Sequence, residues 1–291
     1  MQRTKMNRFV YAGVAVLIAA VLGGGYWWWK QQQPPVIINL PPPPVAEAPS
    51  APMPAPAPSV PAIKYPIDAQ AAASEPGAGL ATVPPLDQAD PVVRSKLGDL
   101  LGRKAVLSWL QTEAFARNLV ATVDNLARPH AAPRLWPVNP TEGRFSVVQD
   151  GDKQRISLDN RARYTPFVLF VERINARRAA AAYAELYPLF QQAYEELGYP
   201  GRYFNDRLIE VIDHLLQTPE FEQSPEVRLT EVRGPMKSER PWVRYEFADP
   251  ALESLSSGQK LLLRMGPVNE RRLKIKLREF RKELVSGSLV R

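Results

Sequence analysis

An uninterrupted apolar stretch near the start of the chain constrains the fold more than any other feature. Residues Phe9–Trp29 (FVYAGVAVLIAAVLGGGYWWW) contain no charged side chain. As an α-helix, these 21 residues would span about 32 Å at about 1.5 Å each, which matches the hydrocarbon core of a bilayer. A helix also satisfies its own backbone hydrogen bonds in lipid. We therefore predict a transmembrane helix at 9–29.

The charges that flank this stretch predict its orientation. Arg3, Lys5 and Arg8 precede it without an acidic residue, whereas only Lys30 follows it closely. Positively charged flanks favour the cytoplasmic side of a membrane. We expect residues 1–8 to form a cytoplasmic N-terminus and the remainder to lie on the far side.

A cleavable signal peptide is the alternative for this region, because Gly23 and Gly25 supply small residues near a possible cleavage site. The length of the apolar run and its tryptophan cluster, Trp27–Trp29, favour a retained anchor. Ala15, Ala19 and Gly23 also form a small-xxx-small ridge. Such a ridge either packs two copies into a homodimer or simply reflects an alanine-rich span.

Proline dominates the next part of the chain. Residues 30–85 hold more than half of the 30 prolines, and proline fixes φ and lacks an amide donor. We predict a disordered, proline-rich linker at 30–85. The apolar interruption Val36–Leu40 (VIINL) is interpreted either as a docking strand or as a chance apolar patch. Residues 86–291 would then form one globular domain without disulfides, because the chain has no cysteine.

Helical periodicity extends over most of this domain. Asp90-Pro91, Thr165-Pro166 and Asp249-Pro250 are typical helix starts, and Gly266-Pro267 predicts a break between the last two helices. Pro188 is expected to kink or divide a long helix, because it removes one helical hydrogen bond.

Two pairs of short segments predict β-hairpins. Phe145–Val148 and Arg155–Leu158 flank the turn signal Asp150-Gly151. Val227–Val232 and Trp242–Phe247 are strand-like and follow one another across a loop. The predicted fold class is therefore mostly α (α+β), a helical C-terminal domain with one or two small β-hairpins.

Net charge narrows the choice of partners. The chain carries a formal charge of +7, which favours anionic partners. For a domain beyond the membrane, these are anionic headgroups, cell-wall polymer or an acidic protein, and we expect no nucleic acid. Because the sequence contains no phosphate-binding loop, zinc-protease or nucleophile-elbow motif, we expect no cofactor.

One amphipathic segment carries the only cluster of potentially catalytic residues. In Asn205–Gln217 (NDRLIEVIDHLLQ), helical spacing brings four polar residues to one face: Asp206, Glu210, Asp213 and His214. Carboxylate and imidazole groups at this spacing could bind a metal or act as acid and base. The simpler interpretation is a solvated polar face, and we expect no metal and no catalytic residue.

Two further stripes follow helical spacing. Tyr183, Tyr187, Phe190 and Tyr194 either stack on sugar rings or, more simply, belong to the core. The last helix places five cations on one arc, which is either an anion-binding face or a solvated face that complements the helix dipole. These basic-face residues are Arg271, Lys274, Arg278, Arg281 and Lys282.

Four segments resemble a family of bacterial single-pass envelope proteins whose C-terminal domain has no assigned function. They are Leu186–Gly198 (LYPLFQQAYEELG), Phe204–Leu216 (FNDRLIEVIDHLL), Phe247–Pro250 (FADP) and Gln259–Pro267 (QKLLLRMGP). The resemblance covers about 86–285 and implies a bacterial setting but no reaction. The expected location is the bacterial inner membrane, with the domain in the periplasm. The expected function is a membrane-anchored envelope interaction module, and the alternative is a cell-envelope hydrolase.

Overall fold

The computed structural model of the chain describes residues 62–67, 84–230 and 240–286. The predicted span at 9–29, with its small-residue ridge, and the apolar patch at 36–40 lie outside these residues. Within the described residues, no helix combines the length and apolar character needed to cross a bilayer.

Nine α-helices and four β-strands occur within the described ranges, so the expected mostly helical α+β class is confirmed. The helices are α1 (Asp90–Leu101), α2 (Arg103–Trp109), α3 (Phe115–Leu126), α4 (Asp159–Glu172), α5 (Ala176–Glu196), α6 (Phe204–Leu216), α7 (Pro250–Glu253), α8 (Ser257–Met265) and α9 (Pro267–Val285). The strands are β1 (Val147–Asp150), β2 (Lys153–Ile156), β3 (Glu226–Leu229) and β4 (Tyr245–Phe247).

Local capping signals set several helix boundaries. The side chains of Asn175 and Asp249 each accept a backbone hydrogen bond from the first turn of α5 and α7. Gly266 separates α8 from α9 with a φ of 85°, which glycine adopts without strain, and Pro267 then opens α9. The predicted break between the last two helices is therefore confirmed.

Asp90 begins α1 as expected, but its side chain caps a different helix. Its two carboxylate oxygens accept from the backbone N–H groups of Ala114 and Phe115, at 2.8 and 3.3 Å. Ala114 precedes α3 in a left-handed conformation with a φ of 47°, which L-residues rarely adopt. The carboxylate thus stabilises the start of α3 across a long sequence separation.

The helix start predicted at Thr165-Pro166 was wrong, and of the two outcomes predicted for Pro188, a kink or a division, the division does not occur. Helix α4 begins at Asp159 and includes Pro166, and α5 runs through Pro188 without dividing. The start of α4 is fixed earlier because the buried side chain of Asn160 hydrogen-bonds to both backbone groups of Ser146. Helix α5 packs against four other helices, and this burial offsets the cost of about 3 kcal/mol for an internal proline.

The two predicted hairpins form parts of a single antiparallel sheet with the order β1-β2-β3-β4. Strands β1 and β2 pair with Val147 opposite Ile156, and β3 and β4 pair with Val227 opposite Phe247. Strand β2 joins the halves by pairing Gln154 with Val227. Because α4, α5 and α6 lie between β2 and β3 in the chain, no local signal predicts this pairing.

The main core lies among the helices, with α5 packed against α1, α3, α6 and α9. The aromatic stripe on α5 is buried in it, which confirms the core interpretation; its residues are Tyr183, Tyr187, Phe190 and Tyr194. The rings of Tyr183 and Phe190 stack with centroids 5.4 Å apart. Burial raises the pKa of the Tyr183 phenol well above its usual range.

A glycine in α8 tests how tightly this core is packed. A Cβ on Gly258 would lie 2.5 Å from Leu215 Cδ2 and 2.8 Å from the carbonyl oxygen of Leu126. We expect Gly258→Ala to lower the free energy of unfolding by about 1–3 kcal/mol, because this space is already filled. Gly98, in α1, is the matched control.

The nearest atom to a Cβ on Gly98 lies 3.7 Å away, so Gly98→Ala should raise the free energy of unfolding by about 0.5–1 kcal/mol. Urea unfolding followed by circular dichroism measures both variants. Equal changes in the two variants would show that the packing around Gly258 is looser than described.

Candidate functional site

Helix α6 presents the polar face that its sequence predicts. Its apolar side is buried in the main core, including Ile209, Val211 and Ile212. The four candidate residues on the other side all line one cleft of about 760 Å³: Asp206, Glu210, Asp213 and His214. The structure therefore brings these residues into one concave region.

We call this region the α6 cleft. Helix α6 forms one wall, and the others come from α3, from the end of α5 with the turn after it, and from residues 62–65. The lining residues outside α6 are Ala62, Lys64, Tyr65, Asp124, Tyr194, Tyr199, Arg202, Tyr203 and Gln217. Segments far apart in sequence thus meet at this site.

A single carboxylate holds the first part of the Ala62–Ile67 segment. The two oxygens of Asp206 accept hydrogen bonds from the consecutive backbone N–H groups of Lys64 and Tyr65, at 2.9 and 2.8 Å. Hydrogen bonds to an ionised acceptor are stronger than neutral ones. Asp206 therefore fixes on the domain a segment that the sequence analysis placed in the linker at 30–85.

The rest of the segment is bound by the start of α6 and by the main core. The buried Asn205 donates from Nδ2 to the carbonyl oxygen of Tyr65 at 2.8 Å. The hydroxyl of Tyr203 accepts from the backbone N–H of Ile67 at 2.7 Å. The Ile67 side chain is only 8% exposed and belongs to the main core. Pro66, between these contacts, has no N–H to satisfy.

A buried carboxylate forms the base of the cleft. Asp124, on α3, is 2% exposed, and its oxygens accept from Arg128 at 2.5 Å, from Arg207 at 2.9 Å and from the hydroxyl of Tyr199 at 3.2 Å. Arg128 also donates to the Tyr199 hydroxyl. A buried charge is tolerated when it is paired in this way. The network fixes α3, α6 and the turn after α5 relative to one another.

Glu210 lies at the open edge of the cleft. Its side chain is 69% exposed and pairs with Arg207, at 3.0 Å between Oε2 and Nη1. Burial would by itself lower the pKa of Arg207, but hydrogen bonds to Glu210 and Asp124 raise it overall. Arg207 therefore stays charged and links the edge of the cleft to its base.

Asp213 joins the two charged surfaces that the sequence analysis treated separately. Arg281, on α9, donates from Nε and Nη2 to the two oxygens of Asp213, at 2.5 and 2.9 Å. These hydrogen bonds raise the pKa of Arg281, and the phenol of Tyr65 adds to the shift. Tyr65, in the docked segment, therefore interacts electrostatically with Arg281 on the last helix.

His214 is half-buried, and its Nε2 atom is shielded from solvent without a hydrogen-bond partner among the described residues. No group of three metal-ligating side chains converges in the part of the chain that the structure describes. Glu210 is exposed, as a solvated face requires, whereas Asp206 and Asp213 are engaged by other segments. Sequence spacing alone could not reveal these partners.

The five cations predicted as a basic face on α9 do not form one exposed surface. Arg271, Arg278 and Lys282 are exposed, and Arg281 is paired as described above. Lys274 is 2% exposed, and its ammonium contacts the carboxylates of Glu270 at 2.9 Å and Glu220 at 3.1 Å.

Lys274 is therefore unavailable to an anionic partner, which corrects its placement on an accessible face. It also donates to the carbonyl oxygen of Thr218 at 2.5 Å. Burial raises the pKa of Glu270 although the ammonium of Lys274 opposes the shift. The arc on α9 crosses the boundary of the core, which a helical wheel cannot show without knowledge of the neighbouring elements.

The described residues thus form an α+β domain with an irregular segment, Ala62–Ile67, bound in a cleft. Residues 115–281 match the family described as protein of unknown function (DUF3014). The match covers more than half of the chain, so the chain belongs to this family. No curated protein and no solved structure shows significant similarity to it.

The family match is shorter than the range of 86–285 that the resemblance implied. It includes every domain residue that lines the α6 cleft, from Asp124 to Gln217, and the Asp213–Arg281 pair. It does not include the Ala62–Ile67 segment or α1 and α2. The matched region of this chain thus contains all the domain residues that line the cleft.

Asp206 provides a direct test of the docked segment. We expect Asp206→Ala to increase hydrogen exchange at the backbone amides of Lys64 and Tyr65, because it removes both of their acceptors. The free energy of unfolding should fall by about 1–2 kcal/mol. Hydrogen exchange with mass spectrometry on the full chain measures the first effect, and urea unfolding measures the second.

Glu210→Ala is the control, since Glu210 lies one helical turn further on and pairs with Arg207. This variant should leave exchange at residues 62–67 unchanged. Equal exchange in the Asp206→Ala variant and the unaltered chain would show that the carboxylate does not hold the segment.

Proposed function

We propose that this chain is a membrane-anchored interaction module that binds a partner in the α6 cleft. The observation that carries this proposal is the Ala62–Ile67 segment, which lies in the cleft and is bound through backbone hydrogen bonds. A surface that orders an irregular segment in this way has the groups that peptide recognition needs.

A protein is the partner class that the cleft supports best. A carboxylate, an amide and a phenol there engage backbone groups, which lipid headgroups and cell-wall polymer do not present in this arrangement. On α9, by contrast, three of the five cations, Lys274, Arg281 and Arg271, are already paired with carboxylates of the domain. Anionic headgroups and cell-wall polymer therefore take second place as partners, through Arg271, Arg278 and Lys282.

The anchoring part of the proposal rests on the sequence. The apolar stretch at 9–29 would hold the chain in a bacterial inner membrane as a single pass, with residues 1–8 in the cytoplasm. The proline-rich linker would give the periplasmic domain reach. A dimer through Ala15, Ala19 and Gly23 would bring two clefts together.

A cell-envelope hydrolase is the second candidate, because the cleft gathers the four candidate residues with side chains from other segments. General acid–base chemistry needs a group that is free to reach the substrate. Asp206 and Asp213 are bound by backbone amides and by Arg281, and Glu210 pairs with Arg207. These pairings are the reason for placing binding before catalysis.

The topology can be tested with reporter fusions after Pro85. We expect alkaline phosphatase fused there to be active, because this enzyme matures only outside the cytoplasm, and a green fluorescent protein exported in unfolded form to stay dark. Colony assays and fluorescence measure the two outcomes. The reverse pattern would place the domain in the cytoplasm.

The binding role can be tested in cells by site-specific cross-linking. A photoreactive phenylalanine at Arg202, which is exposed on the rim of the cleft, should yield a cross-linked species of one defined mass. Asp152 is the control, because it is exposed in the turn between β1 and β2, outside the cleft. Absence of the species at Arg202, or equal labelling at both positions, would refute a partner in the cleft.

A further inference from the structure

The α6 cleft recognises its resident segment mainly through atoms that every peptide carries. Asp206 accepts hydrogen bonds from two consecutive N–H groups, Tyr203 accepts from a third, and Asn205 donates to one carbonyl oxygen. None of these four hydrogen bonds depends on a side chain of the segment. A peptide from another protein can make the same four contacts.

Side chains of the segment add a sequence preference. Ile67 is buried in the main core, and Tyr65 packs against the same core. Pro66 lies between these contacts and has no N–H, so the segment carries no unpaired backbone donor at this position. The preferred ligand thus has an aromatic residue, then proline, then an aliphatic residue.

The charge of the cleft favours a basic residue before the aromatic one. Three of the carboxylates that line the cleft, Asp124, Glu210 and Asp213, are paired with arginines of the domain. Asp206 has no cationic partner among the described residues and accepts a hydrogen bond from the backbone N–H of Lys64. The resident segment contributes Lys64 at this position. Complementary charge improves both the association rate and the specificity of such a contact.

The chain itself supplies a competitor for any external peptide. Residues 68–83 are the only connection between the segment and the start of the domain at Pro84. A connection of this length gives a tethered ligand an effective concentration on the order of millimolar. A segment whose own dissociation constant is about 0.1 mM would then occupy the cleft about nine-tenths of the time.

We propose that Ala62–Ile67 is a resident ligand of the α6 cleft, and that the partner is a peptide with the pattern basic–aromatic–proline–aliphatic that binds by displacing it. This inference rests on the proposed function and specifies its partner. It predicts that weakening the chain's own segment strengthens binding of an external peptide.

The test uses the purified full chain and a fluorescent synthetic peptide with the sequence of residues 60–69 (VPAIKYPIDA). A release variant, Tyr65→Ser with Ile67→Ser, weakens the resident segment and leaves every residue from Pro84 onward unchanged. We expect fluorescence anisotropy to show about tenfold tighter binding to the release variant than to the unaltered chain.

Two controls separate backbone recognition from a general loss of stability. In the release variant, Asp206→Ala should weaken peptide binding at least tenfold, because it removes the acceptor of two N–H groups. Asp90→Ala is its matched control, since Asp90 also accepts from two consecutive backbone N–H groups, but at the start of α3. This variant should lose stability and keep the peptide affinity.

A peptide that is N-methylated at the positions of Lys64 and Tyr65 should also bind at least tenfold more weakly, although its side chains are unchanged. This arm needs no domain variant, so it remains decisive if Asp206→Ala fails to fold. Equal affinity of the methylated and unmethylated peptides would overturn the inference.

Equal peptide affinity for the release variant and the unaltered chain would show that the segment does not compete, and would also overturn the inference. So would a lack of binding to the release variant at millimolar peptide. These failures are distinguishable from failure of the proposed function, because the cross-link at Arg202 is scored in cells and without the synthetic peptide.

Discussion

The buried carboxylate of Asp124 is the constraint on which the cleft depends. A charge on α3 that is removed from water costs several kcal/mol unless it is paired. Arg128, Arg207 and Tyr199 supply this compensation from α6 and from the residues that follow α3 and α5. Because these donors must meet at one point, the relative positions of three parts of the chain are fixed, and the cleft is preformed in the absence of a partner.

Pairing within the domain explains why two strongly charged helix faces do not act as two independent surfaces. The acidic side of α6 and the basic side of α9 meet through Asp213 and Arg281. The ammonium of Lys274 is buried in the domain, where it pairs with Glu270 and Glu220. What remains exposed is smaller and more mixed in charge than either face, and this favours a partner with a defined peptide backbone over a general polyanion.

Signals confined to a few residues predicted most of the helices. The helix starts predicted at Asp249-Pro250 and Gly266-Pro267 are confirmed, because the effects of a cap and of proline act within one helical turn. Three other features depend on partners that are distant in the sequence. They are the pairing of β2 with β3, the cap that Asp90 supplies to α3, and the start of α4 before Pro166. No local pattern carries that information.

The same distinction between local signals and distant partners applies to the candidate site. Helical spacing predicts that Asp206, Glu210, Asp213 and His214 share one face, which the structure confirms, but it does not predict that this face lines a cleft. The partners that determine their roles were missed, because Asp124 and Tyr203 look like ordinary polar positions in the sequence. The one available signal was the apolar and aromatic interruption at Tyr65 and Ile67 within a proline- and alanine-rich stretch.

Docking of this short segment is stabilised by two kinds of contact. Burying Ile67 and part of Tyr65 contributes about 1.5–3 kcal/mol each, and each of the four hydrogen bonds contributes about 0.5–1.5 kcal/mol. Ordering six residues costs about 1–2 kcal/mol each, less where Pro66 already fixes φ. The two sums are of similar size, so docking of the segment is close to balance and a partner peptide needs only a modest advantage to replace it.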